Sequence, residues 1–130
     1  MAGKEAPRAW LEIDGQCISR NARRILSHIH PLQMLAVLKA NAYGLGVETV
    51  ASLLKNAGAH AFGVAEIDAA QKLKRFDLPI HLMGDFLPRE AGAIAREDII
   101  APVTNLANAK ALSDIARGLG KDALCQFSVD

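Results

Sequence analysis

An α/β fold built on parallel strands is what this sequence predicts, and three observations carry the prediction. Short apolar runs recur along the chain, starting near Met34, Ala61, Pro79, Ile99 and Ala123. Segments with apolar residues at helical spacing separate them, and Gly or Pro stands at most of the joins. The first run, Met34-Leu35-Ala36-Val37-Leu38, is apolar without alternation, the mark of a strand covered on both faces. Strands that alternate with single helices imply right-handed βαβ units and a parallel sheet. On pattern alone a doubly wound open sheet is favoured, because that architecture can be complete at this length.

Arg8–Asp14, the first element, alternates partly, with Trp10 and Ile13 apolar, and reads as a short strand. Asp14 is a suitable N-cap for a helix whose apolar stripe is Ile18, Ala22, Ile25, Leu26 and Ile29 and which Pro31 ends. The strand near Met34 leads to a helix through Val47, Val50, Ala51 and Leu54 that closes at Gly58. The strand near Ala61 leads to Ile67-Ala70-Leu73-Phe76, opened by the first-turn carboxylates Glu66 and Asp68. After the strand near Pro79, Pro88 starts a helix through Ile94 and Ala95. The last helix, Leu106-Ala109-Leu112-Ala116, closes near Gly118 and Gly120 and precedes the run Ala123–Val129.

Composition bounds the function. Of 130 residues 51% are hydrophobic and 22% charged, which is globular and excludes disorder. A net charge of +1 with scattered basic residues gives no footing for nucleic acid or an anionic membrane. Cys17 and Cys125 are too few for a disulfide framework or a zinc site and are expected to be buried thiols. His28, His30, His60 and His81 share no metal-ligand spacing. No stretch approaches the roughly 20 apolar residues of a membrane span, and no apolar signal opens the chain. These features fit a cytoplasmic protein.

One segment carries chemistry. The Met34–Leu38 run ends in Lys39, and Ala40-Asn41-Ala42-Tyr43-Gly44-Leu45-Gly46 comes next. Lysine seldom ends a buried strand, since an unpaired ammonium costs several kcal/mol to bury. At a strand mouth its amine is placed for attack on a carbonyl. Tyr43 stands where it can reach a phosphate, and Gly44 and Gly46 allow close backbone approach. A strand-end lysine reaching for solvent is an equally simple reading of the residues alone. Met83 falls at the mouth of the third strand, where core packing is the simpler expectation.

Val37-Leu38-Lys39-Ala40-Asn41-Ala42-Tyr43-Gly44-Leu45-Gly46 resembles the pyridoxal-phosphate signature of alanine racemases, V-K-A-N-A-Y-G-H-G. Further segments resemble the family in the right order: Arg8–Asp14 with Asn21, Phe62-Gly63-Val64-Ala65, Pro79–Gly84 and Ile100–Thr104. The resemblance implies the first five strands of an eight-stranded (β/α) TIM barrel, preceded by a short strand and helix, in place of an open sheet. It implies that residues 1–130 are the N-terminal barrel domain, ending within or just after the fifth strand, with the family's C-terminal β domain absent.

It implies roles as well. Lys39 joins pyridoxal 5'-phosphate and then serves as a base at the substrate α-carbon. Tyr43 hydrogen-bonds the cofactor phosphate, and Val37 lines the pocket floor. The reaction is interconversion of L- and D-alanine, which supplies D-alanine for peptidoglycan, in a protein that is a homodimer at full length. Leu45 departs from the pattern, which has histidine there. The second base, a tyrosine of the partner subunit's C-terminal domain, lies outside this sequence, so the 130-residue chain alone is expected to be inactive, and prone to aggregate or to need a complementing chain. Two alternatives stand beside this: a non-catalytic homologue that retains cofactor binding, and a racemase of another amino acid such as serine.

Overall fold

Asp14 starts the regular structure. In the computed structural model, which describes residues 8–127, its side chain accepts from the Cys17 amide at 3.0 Å and caps α1, Gly15–Ile29. The cap satisfies a first-turn donor that no helical carbonyl can reach. Then come β1 (Leu35–Val37), a short turn α2 (Lys39–Tyr43), α3 (Val47–Ala57) and β2 (Ala61–Val64). α4 (Ile67–Leu73) runs into a 3₁₀ turn (Lys74–Phe76) before β3 (Ile80–Leu82). A 3₁₀ turn at Pro88–Glu90 opens α5 (Ala91–Arg96), which leads to β4 (Ala101–Val103), α6 (Leu106–Gly118) and β5 (Cys125–Phe127). The five strand regions and the helices between them stand where the apolar runs and helical spacings predict.

All strand pairings are parallel. Val37 lies beside Gly63, Gly63 beside His81, and Pro102 beside Gln126. β3 and β4 are joined by Leu82 N to Ile100 O at 2.8 Å and Ile100 N to Ile80 O at 2.9 Å. The strands are therefore neighbours in space in chain order. A doubly wound sheet reverses its order at a switch point, and no reversal is found, which corrects the expectation from pattern alone. Sequential order with right-handed crossovers puts every connecting helix on one face, the arrangement of a barrel wall.

The core lies between that wall and its helices. Phe62, Val64, Ile80, Leu82 and Ala101 point outward from the strands into it, with Val50, Ala70, Leu73, Ile94 and Leu112 from the helices. Phe62 meets Phe76 edge-on with centroids 6.0 Å apart. Each large side chain buried this way contributes about 1.5–3 kcal/mol. The alternate residues Leu35, Val37, Gly63, His81 and Met83 take the opposite, inner side. There Gly63 leaves room for its neighbours, since a Cβ would stand 2.9 Å from Leu35 Cδ2 and 3.2 Å from Met83 Cγ.

Three expectations are corrected. Residues 8–14 form no strand, and Trp10 and Leu11 are exposed. A strand needs a ladder partner, and none stands beside this segment among the described residues. Cys17 and Cys125 are both exposed rather than buried. Cys17 lies on the polar side of α1, where its Sγ donates to Asp14 Oδ2 at 2.8 Å. That bond holds the Asp14 carboxyl below its usual range and pushes the thiol up. Met83 is half exposed on the inner side rather than packed in the core. No helix among the described residues is long and apolar enough to cross a membrane.

Candidate active site

Lys39 stands immediately past the C-terminal end of β1, in the register that puts Leu35 and Val37 on the inner side. Its side chain is exposed. Leu38, between Val37 and Lys39, is buried, and its amide donates to Gly63 O at 2.7 Å. That bond extends the β1–β2 ladder one residue past the strand and fixes the backbone on which Lys39 is mounted.

The backbone after Lys39 turns with the opposite hand to an ordinary helix. Ala40, Asn41, Ala42 and Tyr43 have φ of 52°, 53°, 54° and 55°, a single left-handed helical turn, and Gly44 continues it at 85°. For residues with a Cβ each such conformation costs roughly 1–2 kcal/mol. Only asparagine and glycine adopt it readily, so the turn must be held from outside.

Asn41 supplies the hold. Its Oδ1 accepts from the Val47 amide at 2.9 Å and its carbonyl from the Gly46 amide at 3.0 Å. The first of these satisfies an orphan donor at the N-terminus of α3. The turn closes itself through Ala42 N to Leu38 O at 3.2 Å and Gly44 N to Ala40 O at 3.0 Å. The strain fixes where Lys39 and Tyr43 leave the backbone, and bound strain of this kind clusters at functional sites. Sequence reasoning read only glycines that allow close backbone approach and missed both the turn's hand and the role of Asn41. The available signal was Asn41 itself, with glycines close behind it.

Tyr43 is two-thirds exposed at the end of the turn, and Val37 is half-exposed on the inner side. Val37, Lys39 and Tyr43 thus share the β1 mouth. Leu45 is exposed and packs no core. Met83 borders the same side from β3, its amide bonded to Val64 O at 2.7 Å.

Beyond Met83, Asp85 is more than a solvated turn carboxylate. Its Oδ1 accepts from the Phe86 amide at 2.9 Å and from Asn108 Nδ2 at 2.8 Å. The amide bond first, then the Thr104 hydroxyl, holds the carboxyl below its usual range. Asn108, buried in α6, also donates to Phe86 O at 2.8 Å. This network ties the loop after β3 to the helix after β4, at the same end of the sheet as Lys39. No group of three metal-ligating side chains occurs among the described residues.

The arrangement offers one primary amine and one phenol at the C-terminal end of a parallel sheet, beside an open apolar face. That is where barrel enzymes carry their sites. An amine there can join an aldehyde, and a phenol can donate to a phosphate.

Comparison with known proteins shows the family. Residues 13–130 match the family described as alanine racemase, N-terminal domain. An alanine racemase of Desulforamulus reducens is 35% identical over 124 residues, covering 93% of this chain and 34% of that protein. The alanine racemase of Bartonella henselae, solved with covalently bound pyridoxal phosphate, superimposes with a TM-score of 0.83 at 30% identity, covering 91% of this chain and 35% of that one. A histidine racemase of Leuconostoc mesenteroides gives a TM-score of 0.77 at 31% identity, covering 85% and 30%. The chain spans about a third of the relatives it matches.

Proposed function

The chain belongs to the alanine racemase family through its N-terminal domain, and from that premise we propose that it is the cofactor-attaching part of a pyridoxal-phosphate-dependent alanine racemase. The observation that carries the reading is Lys39 at the end of β1, leading into a held left-handed turn that ends in Tyr43.

The residues present fit this cofactor. Lys39 Nζ would bond its aldehyde carbon, Tyr43 Oη would donate to its phosphate, and Val37 would lie under its ring. When bound, the cofactor supplies an electron sink for charge at the substrate α-carbon. Lys39 Nζ, when its amine is free, would serve as the base on its own side of the substrate α-carbon. Asn41 keeps that amine in place by holding the turn. Leu45 contributes neither a donor nor a proton to the mouth. A proton must also move on the opposite side to invert the centre. Tyr43, the one tyrosine of the sequence, is committed to the phosphate. Lys39 on this reading serves one side of the α-carbon, and by the family resemblance a tyrosine outside residues 1–130 serves the other.

On this reading residues 1–130 are the barrel domain's N-terminal part and alanine is the substrate. D-alanine for peptidoglycan is the product, and the whole protein is a cytoplasmic homodimer. The likeness to a histidine racemase supports a second reading, a racemase of another amino acid on the same scaffold.

Titration with pyridoxal phosphate tests the proposal. The chain should give the absorption shift that accompanies covalent attachment to an amine. Lys39→Ala should abolish it, and Tyr43→Phe should weaken binding roughly tenfold, the worth of one charge-assisted hydrogen bond. An undiminished shift in Lys39→Ala would refute it.

A further inference from the structure

β4 carries a proline inside a sheet, a position proline normally avoids because it cannot donate to the ladder. β4 has neighbours on both sides: Ala101 N donates to Leu124 O at 3.1 Å toward β5, and Ile100 N to Ile80 O at 2.9 Å toward β3. In a parallel ladder the donor after Ile100 belongs to residue 102 and is directed at the carbonyl of Leu82. Residue 102 is Pro102, so Leu82 O has no strand donor. A buried carbonyl left in that state is costly.

Gln126 fills the gap. It is the β5 partner of Pro102, and its Nε2 reaches past the proline to donate to Leu82 O at 3.2 Å. Its Oε1 lies 2.8 Å from His81 Nδ1. The two contacts fix each other. Only the NH₂ end can face a carbonyl, so Oε1 faces the imidazole, and a bond there requires the proton on Nδ1.

We propose that Gln126 and His81 are positioning residues that splice β3 to β5 across the ladder bond Pro102 cannot make, and that the splice sets His81 in its Nδ1–H form. His81, Gly63 and Val37 form one row across the inner side of β3, β2 and β1. That row underlies the register position of Lys39. The splice also fixes the strand end from which Met83 and Asp85 emerge. Its hydrogen bonds belong to the strands alone, and their bearing on cofactor chemistry rests on the function proposed above.

A double-mutant cycle tests it. Gln126→Ala should lower Tm by about 4–8 °C. In a Pro102→Ala background, where residue 102 regains its N–H, the same change should cost less than half as much. Equal losses in the two backgrounds would overturn the splice. Nitrogen NMR of the wild-type imidazole gives a readout that needs no variant. Nδ1–H should predominate in the neutral ring, against the Nε2–H form that free histidine side chains favour in water, and a wild-type Nε2–H ring would overturn the proposal. Gln126→Glu, keeping the acceptor but not the donor, should retain the Nδ1–H signal while losing the stability; loss of the signal counts against the proposal. None of these readouts needs cofactor, so failure of Lys39 to bind pyridoxal phosphate would leave them intact.

Discussion

The two sides of one sheet differ in what they are for. On the helix-covered side Phe62, Val64, Ile80 and Leu82 are at most 1% exposed, whereas on the inner side Val37 is 39% and Met83 50% exposed. Successive residues of the same strands supply both, since side chains alternate across a pleated backbone. The outer side is packed by the chain's own helices and carries the stability. The inner side carries Val37, with Lys39 and Tyr43 at its mouth, and apart from the Gln126 bonds to His81 and Leu82 O it contributes little to holding the fold. Site and scaffold are thus separable residue by residue, and substitutions should sort accordingly.

The largest contrast is expected between Phe62→Ala and Val37→Ala. The first opens a cavity in the packed layer and should cost about 3–5 kcal/mol in a urea titration. The second removes surface that water already reaches and should cost under about 1 kcal/mol. Comparable losses would break the distinction.

Asn41→Ala comes next, at about 1–2 kcal/mol, since it removes both the acceptor for Val47 N and a residue tolerant of positive φ. Asn41→Asp keeps both and should be close to neutral, and hydrogen exchange at the Val47 amide should distinguish the two. A Val47 amide still protected in Asn41→Ala would show that the Asn41 side chain does not hold the turn.

Gly63→Ala sharpens the comparison from the inner side. Its Cβ would meet Leu35 Cδ2 at 2.9 Å and Met83 Cγ at 3.2 Å. Both are flexible ends on an open face, so the cost should be about 1 kcal/mol, and Leu35→Ala should relieve most of it.

The smallest effect expected is that of Asp85. Hydrogen bonds from Phe86 N and then Thr104 hold its carboxyl below the unfolded value. A lowered folded pKa stabilises above the unfolded pKa and is lost as pH falls through the folded one. Stability should therefore decline on acidification below about pH 4. Asp85→Asn should make that acid limb shallower, Asp14 supplying part of what remains, and should lower neutral stability slightly.

Apolar runs and helix signals in the sequence locate each strand and helix of the sheet, because burial and capping act locally. Sequential strand order was not legible from pattern, since alternating elements suit an open sheet and a barrel alike. The segment from Arg8 to Asp14 has the composition of a strand, but a strand is a property of a pair. Lys39 and Tyr43 were legible as a site from the motif around them. The left-handed turn between them escaped because its alanines and tyrosine favour other conformations, and tertiary bonds to α3 overrule them. The splice escaped for a similar reason: Pro102, Gln126 and His81 are brought together only by register.

Competition among lysines tests most directly whether the inner mouth is reactive and the helix-covered side is scaffold. The chain would be mixed with less than one equivalent of pyridoxal phosphate, reduced with borohydride and mapped by peptide mass spectrometry. A reactive mouth gives a saturable adduct concentrated at Lys39 and absent in Lys39→Ala, with the helix lysines Lys55, Lys72 and Lys110 nearly unlabelled. Labelling spread evenly over those lysines, or none at Lys39, would contradict it.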